Sequence, residues 1–129
     1  MFIGYQKDFE TGALRPVALG DTKADVEALP LMVFAEIKEM EFAAMYNNAI
    51  YTDLVELQTA KETAVRVARD NLLKSEVDPV VSNPLRWAEM SDAGKAQYEA
   101  YRRYLLDYTK TLAWWENNPL TMEEWKKEN

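Results

Sequence analysis

Four tryptophans, Trp87, Trp114, Trp115 and Trp125, fall in the last third of this 129-residue chain, and two arginines stand between two tyrosines in Tyr101-Arg102-Arg103-Tyr104. The chemistry these residue types offer is recognition rather than bond-making. Trp, Tyr and Arg carry much of the binding energy at protein interfaces, and a guanidinium stacks on a ring or holds a carboxylate or phosphate in a planar fork. A structural reading stands beside each. The Trp rings can cover the ends of a helix pair, since an indole buries much area and needs only one N–H partner. Tyr101 can face inward while Arg102 pairs with Glu99 or Asp107. Trp114 and Trp115 are adjacent, so they cannot both face one side of a helix or strand. One is expected to pack inward and the other to face outward near Arg102 or Arg103.

The chain contains no Cys and no His. That removes disulfides, a thiolate nucleophile, an imidazole base and the ordinary zinc or iron site. Carboxylate, Lys or Tyr mechanisms remain. Glu36, Glu39 and Glu41, and then Glu123 and Glu124, are the paired acids. A glycosidase needs two carboxylates of unequal proton affinity in one cleft, whereas acids scattered over an exposed face are far commoner. The expectation is therefore no enzyme, no cofactor and no metal dependence, because even calcium would require several oxygens converging in one loop. Gly4, Gly12, Gly20 and Gly94 are too dispersed for a phosphate loop. Met32, Met40 and Met45 with Phe34 and Phe42 could form a soft contact surface, but are more often core.

The formal charge is −7, and it is uneven: residues 1–60 carry 4 basic and 10 acidic side chains, residues 61–129 carry 11 and 12. An acidic first half argues against a nucleic-acid partner, which needs clustered Lys and Arg. No apolar run approaches the roughly 20 residues that cross a bilayer, and Met1 to Asp8 lack the order of a signal peptide. The expectation is a soluble protein of a reducing compartment. Apolar residues at 48% and aromatics at 12% are enough for a packed core.

The elements that must position these side chains follow from local pattern. Met1 to Tyr5 and Leu14 to Leu19 read as a hairpin-like pair of strands around a turn at Asp8–Gly12, with Pro16 confining the second strand to an edge. Asp21 to Pro30 reads as a short helix capped by Asp21 or Thr22 and supported by Asp25. Residues 31–51 read as two or three short strands, with Asn47-Asn48 as a two-residue hairpin turn because Asn tolerates the left-handed region. The alternative is an amphipathic helix with Leu31, Phe34 and Ile37 on one face, ending at Asn47. Asp53 with Glu56 predicts a capping box. Leu57, Ala60, Ala64, Ala68 and Leu72 then repeat at three or four residues, with Val65 and Leu73 widening the stripe, for about six turns of helix. Pro79 and Pro84 preclude an undisturbed helix in residues 75–90. A second long helix is predicted from Ser91-Asp92 to about Thr111, with Gly94, Tyr98, Tyr101, Leu105, Tyr108 and Leu112 on its buried face. Thr121 to Glu124 predicts a capping box for a last short helix. Leu57, Ala64, Ala68 and Leu72 are expected to face Tyr98, Tyr101, Leu105 and Tyr108.

From the first long helix onward the chain resembles the tail assembly chaperone-like proteins of tailed bacteriophages. The resemblance rests on Arg69-Asp70-Asn71-Leu72-Leu73, Asp78, Arg86-Trp87, Ser91-Asp92 and Tyr101-Arg102-Arg103-Tyr104-Leu105-Leu106-Asp107-Tyr108-Thr109, in that order. It covers roughly residues 66–120. Two details differ from the family pattern: Pro79 follows Asp78 where the family often has Trp, and Trp115 and Pro119 stand apart where the family often has Trp-Pro. The resemblance implies a non-enzymatic helper in tail or tail-fibre assembly, encoded by a phage or prophage.

The expected fold class is α+β and mainly helical. A single domain spans residues 1–129, with an acidic, β-containing region 1–51 packed on an antiparallel pair of long helices and an aromatic tail within 52–129. The expected function is a chaperone or adaptor that binds a phage tail or tail-fibre protein, without nucleic acid or membrane, in the cytoplasm of the bacterial host or in the virion tail. Self-association stays open. Protein-binding candidates are Trp87, Arg102, Arg103, Trp114, Trp115 and Trp125. An acidic inhibitor of a host defence system, presenting Glu36, Glu39 and Glu41 as one face, and a structural tail subunit are the alternatives.

Overall fold

A computed structural model describes residues 1–30 and 32–129. Its fold class is α+β, with two compact units, Met1–Thr59 and Ala60–Asn129. Leu31, which the helical alternative above would use, lies outside the described residues.

The first unit is built on strands β1 (Phe2–Lys7) and β2 (Leu14–Gly20), helix α1 (Lys23–Glu27) and strand β3 (Glu36–Glu39). The sheet is antiparallel with the order β2-β1-β3, so β2 is an edge strand, where Pro16 costs no ladder bond. A bulge between the Gly4↔Ala18 and Tyr5↔Pro16 pairs leaves Val17 unmatched. The β1–β2 turn has Gly12 at φ 70°, and the Asp8 carboxylate accepts from the backbone N–H of Glu10 at 2.8 Å and of Thr11 at 3.0 Å. Those bonds to its charged form hold Asp8 below the ordinary carboxylate pKa. Thr22 and Asp25 cap α1 reciprocally, which places the fully buried Val26 over the sheet with Ile3 and Ala18. Gly4 is required there: a Cβ would stand 2.6 Å from the Phe34 ring and 2.9 Å from Val26.

Strands β4 (Ala44–Tyr46) and β5 (Ala49–Tyr51) form the second hairpin. Asn47 at φ 47° and Asn48 at φ 62° supply the two left-handed positions that a two-residue turn demands. The reading of residues 31–51 as short strands is thus correct for β3, β4 and β5.

Helix α2 (Leu54–Leu72) starts where the Asp53 carboxylate accepts from Val55 N–H at 2.8 Å. It runs into a π-helical turn, Leu73–Val77. The two prolines that rule out a continuous helix instead begin new ones, α3 (Asp78–Val81) and α4 (Pro84–Ala88), because the first helical turn has no use for their missing N–H. Helix α5 (Asp92–Asp107) is capped by Ser91, and α6 (Met122–Glu128) by a full Thr121–Glu124 capping box.

The core of the second unit is Val77, Tyr101, Leu105 and Met122, with Leu72, Leu73, Val81, Tyr98, Tyr104 and Trp125 packed around it. This corrects the expected register. Leu72 reaches the cluster, but Ala64 and Ala68 are not among the side chains that pack on it. The π turn and α3 supply Leu73, Val77 and Val81 instead, since the segment read as a connector is itself helical and turns its valines inward. A second correction concerns Leu112, assigned to the buried face but 98% exposed. α5 ends at Asp107, and a 3₁₀ turn followed by extended backbone at Thr111 breaks the periodicity.

The α6 cap gives a direct check. Thr121 Oγ1 accepts from Glu124 N–H at 3.3 Å, and the Glu124 carboxylate accepts from Thr121 N–H at 3.0 Å. Thr121→Ala should destabilise the protein by about 1 kcal/mol, as loss of an N-cap hydroxyl does. Urea titration reads this, and Thr121→Ser should restore most of the loss.

Candidate functional site

Residues three and four apart share a helix face, and that face carries Tyr101 and Tyr104 on α5 and Tyr108 at its C-cap. Their hydroxyls fasten the chain that returns after α5. The Tyr108 hydroxyl donates to the Asn117 carbonyl at 2.7 Å, and the Tyr104 hydroxyl accepts from Leu120 N–H at 2.9 Å. The Tyr101 hydroxyl lies 2.8 Å from the Leu120 carbonyl and 3.1 Å from Glu76 Oε2. Glu76 Oε2 also accepts from Met122 N–H at 2.7 Å, a donor that the start of α6 leaves free. One carboxylate from the π turn thereby joins α5 to α6.

The rings pack as closely as the hydroxyls bind. Tyr101 stacks on Tyr104 at 5.9 Å, Tyr104 meets Tyr108 edge-on at 5.7 Å, and Trp125 lies 5.5 Å from Tyr101. Tyr101 is fully buried. Burial first, and then the neighbouring Glu76 carboxylate, disfavour its phenolate and raise its pKa above the ordinary tyrosine range. Burial raises Tyr108 in the same direction.

The candidate binding residues separate into three places. Trp125 is half-buried against the tyrosines. Trp87 is half-buried on α4, with the Lys95 ammonium 5.8 Å from its ring centroid. Trp114 and Trp115 lie in a short 3₁₀ turn, Trp114–Glu116, with centroids 6.1 Å apart and planes at 83°. Both are half-buried, so the expected split into one inward and one outward ring is not what forms. An edge-to-face pair lets each ring shelter the other.

The cation beside this pair is also corrected: Arg66 from α2, not Arg102 or Arg103, lies 5.0 Å from the Trp114 centroid. Lys61 reaches Glu116 at 3.3 Å from the same helix. Arg102 and Arg103 are exposed and, among the described residues, carry no ion pair. The expected Asp107 partner instead meets Lys110 at 3.2 Å. Sequence reasoning passed over Glu76 and Arg66, because their partners lie 46 and 48 positions along the chain and no local spacing marks them.

The backbone before the Trp pair is unusual. Ala113 adopts φ 51°, ψ 37°, a left-handed conformation that costs a Cβ-bearing residue about 1 kcal/mol. Leu112, just before it, projects almost wholly into solvent.

The acids Glu36 and Glu39 do not gather into one face. Strand alternation sends Glu36 and Lys38 to one side, paired at 3.6 Å, and Glu39 to the other. Among the described residues no group of three or more metal-ligating side chains converges, and no helix is long and apolar enough to cross a membrane. No family model, curated protein or solved structure matches the chain.

Proposed function

We propose that the protein is a non-enzymatic chaperone or adaptor of a tailed phage or prophage, which binds a tail or tail-fibre protein during assembly in the bacterial host. The ordered motifs between Arg69 and Thr109 support the family. The observation that carries the mode of action is the segment 112–115. A fully exposed Leu112, a left-handed Ala113 and two half-buried indoles hold apolar surface at the molecular boundary at a cost in backbone strain. Strain of this kind persists where a site is held ready for use, and Trp residues are enriched among the anchors of interface hot spots.

Leu112→Ser should leave folding stability within about 0.5 kcal/mol, as exposed substitutions do. The same variant, combined with Trp115→Ala, should weaken capture of the partner by about 2 kcal/mol or more. Co-purification with tail proteins from phage-infected cells measures the second effect and urea unfolding the first. A variant pair that folds normally and still captures the tail protein at full strength would move the interface away from this segment.

A further inference from the structure

The two edges of the sheet in the Met1–Thr59 unit differ. β2 carries Pro16 and a bulge, and both discourage a further strand from adding there. β3 has no proline, and its register with β1 is unbroken from Glu36 to Glu39.

The direction of the β3 backbone follows from the bonds just beyond its end. Met40 N–H donates to the Met1 carbonyl at 2.8 Å, and the Met1 ammonium donates back to the Met40 carbonyl at 3.3 Å. Met1 and Met40 are therefore a hydrogen-bonded pair, and in an antiparallel ladder such pairs recur at every second residue. Lys38 with Ile3, and Glu36 with Tyr5, continue that series. Ile37, between them, turns its N–H and C=O away from β1, and neither group has a partner among the described residues. Ala35 N–H turns back to the Tyr5 carbonyl at 2.8 Å and closes the edge on that side.

The side chains along this edge are complementary to themselves. Glu36 and Lys38 project from the same face, with side chains 41% and 52% exposed. We propose that β3 pairs antiparallel with β3 of a second copy about a two-fold axis through Ile37, joining the two sheets into one. Ile37 then exchanges both backbone hydrogen bonds with the second copy's Ile37. The same register sets Glu36 opposite the second copy's Lys38, and Lys38 opposite its Glu36. These are the non-hydrogen-bonded pairs, where facing side chains come closest. Slipping the strands by two residues puts Lys38 opposite Lys38 in one direction and Glu36 opposite Glu36 in the other, and like charges facing each other are destabilising. A two-fold contact requires a patch that is its own complement, and Glu36-Ile37-Lys38 is such a patch. A lysine on an edge strand normally deters pairing; here an acid two residues away receives it. Each copy contributes one short strand, which places the contact among weak, transient interfaces.

The test uses the full-length protein and sedimentation equilibrium from micromolar to millimolar concentration. The natural chain should show a reversible monomer–dimer equilibrium. Glu36→Lys and Lys38→Glu should keep a native circular dichroism spectrum. Each alone should dimerise about tenfold more weakly, because both cross-strand pairs become like-charged. Mixing the two variants in equal amounts should restore dimers of mixed composition, since every acid then faces a lysine. The double variant Glu36→Lys/Lys38→Glu, which exchanges the charges within one chain, should dimerise like the natural protein. A natural chain that stays monomeric at about 1 mM overturns the proposal. So do single variants that dimerise at full strength, or a mixture or double variant that stays monomeric. Dimer formation needs no tail protein, so its failure and the failure of capture by residues 112–115 are read separately.

Discussion

Leu105→Ala is expected to destabilise the second unit by about 2–5 kcal/mol, the range for truncating a large buried aliphatic side chain. Leu105 is fully buried beside Val77, Tyr101 and Met122. The missing carbons would leave a void whose lining includes two rings tied down by hydroxyl bonds, so the site can collapse only partly. All four tryptophans belong to residues 60–129, and their fluorescence therefore reports this unit selectively. Leu85→Ala is the control: Leu85 is 78% exposed and its truncation should stay within about 0.5 kcal/mol. A Leu105→Ala loss no greater than that of the control would show that the α5 face is not packed as described.

Alkaline pH should produce the second large effect. Tyr101 and Tyr108 both have raised pKa values in the folded state, by burial first and, for Tyr101, then by the Glu76 carboxylate. A raised folded pKa means that the fold retains the phenolic proton longer than the unfolded chain does. Below about pH 10 both states hold it and the stability is fully present. Above that, the unfolded chain releases the proton while the fold retains it, and stability falls as pH rises, by at most about 1.4 kcal/mol per pH unit for each tyrosine and by less for the partly exposed Tyr108. The loss continues until the folded pKa is reached. Unfolding midpoints by Trp fluorescence should be flat just below pH 10 and drop steeply above it.

Tyr101→Phe separates this from general alkaline damage. It should cost about 1–3 kcal/mol at neutral pH, because the Leu120 carbonyl and Glu76 lose a buried donor. It should also reduce the alkaline slope by one tyrosine's share. An unchanged slope in Tyr101→Phe would mean that its hydroxyl is solvated in the folded protein.

What the sequence determined by itself was local. Thr22 with Asp25, Asp53, Ser91 and Thr121 with Glu124 mark four helix starts, because a cap is a contact between residues two or three apart and its chemistry is written in adjacent letters. Asn47-Asn48 marks a hairpin because the turn requires two left-handed positions. Pro16 marks an edge strand because it lacks a donor. The tertiary structure decided what those elements meet. Periodicity placed Tyr101 and Leu105 on a buried face but did not say that Val77 would lie opposite them, since the π turn that aims Val77 and Glu76 inward has no signature of its own. It placed Leu112 inside, because a repeat of three and four continues on paper after the helix has ended. The Glu76 link to Met122 and the Arg66 contact with Trp114 join residues more than forty positions apart. Such pairs are selected by the folded geometry and the burial it imposes, and neighbouring residues carry no record of them.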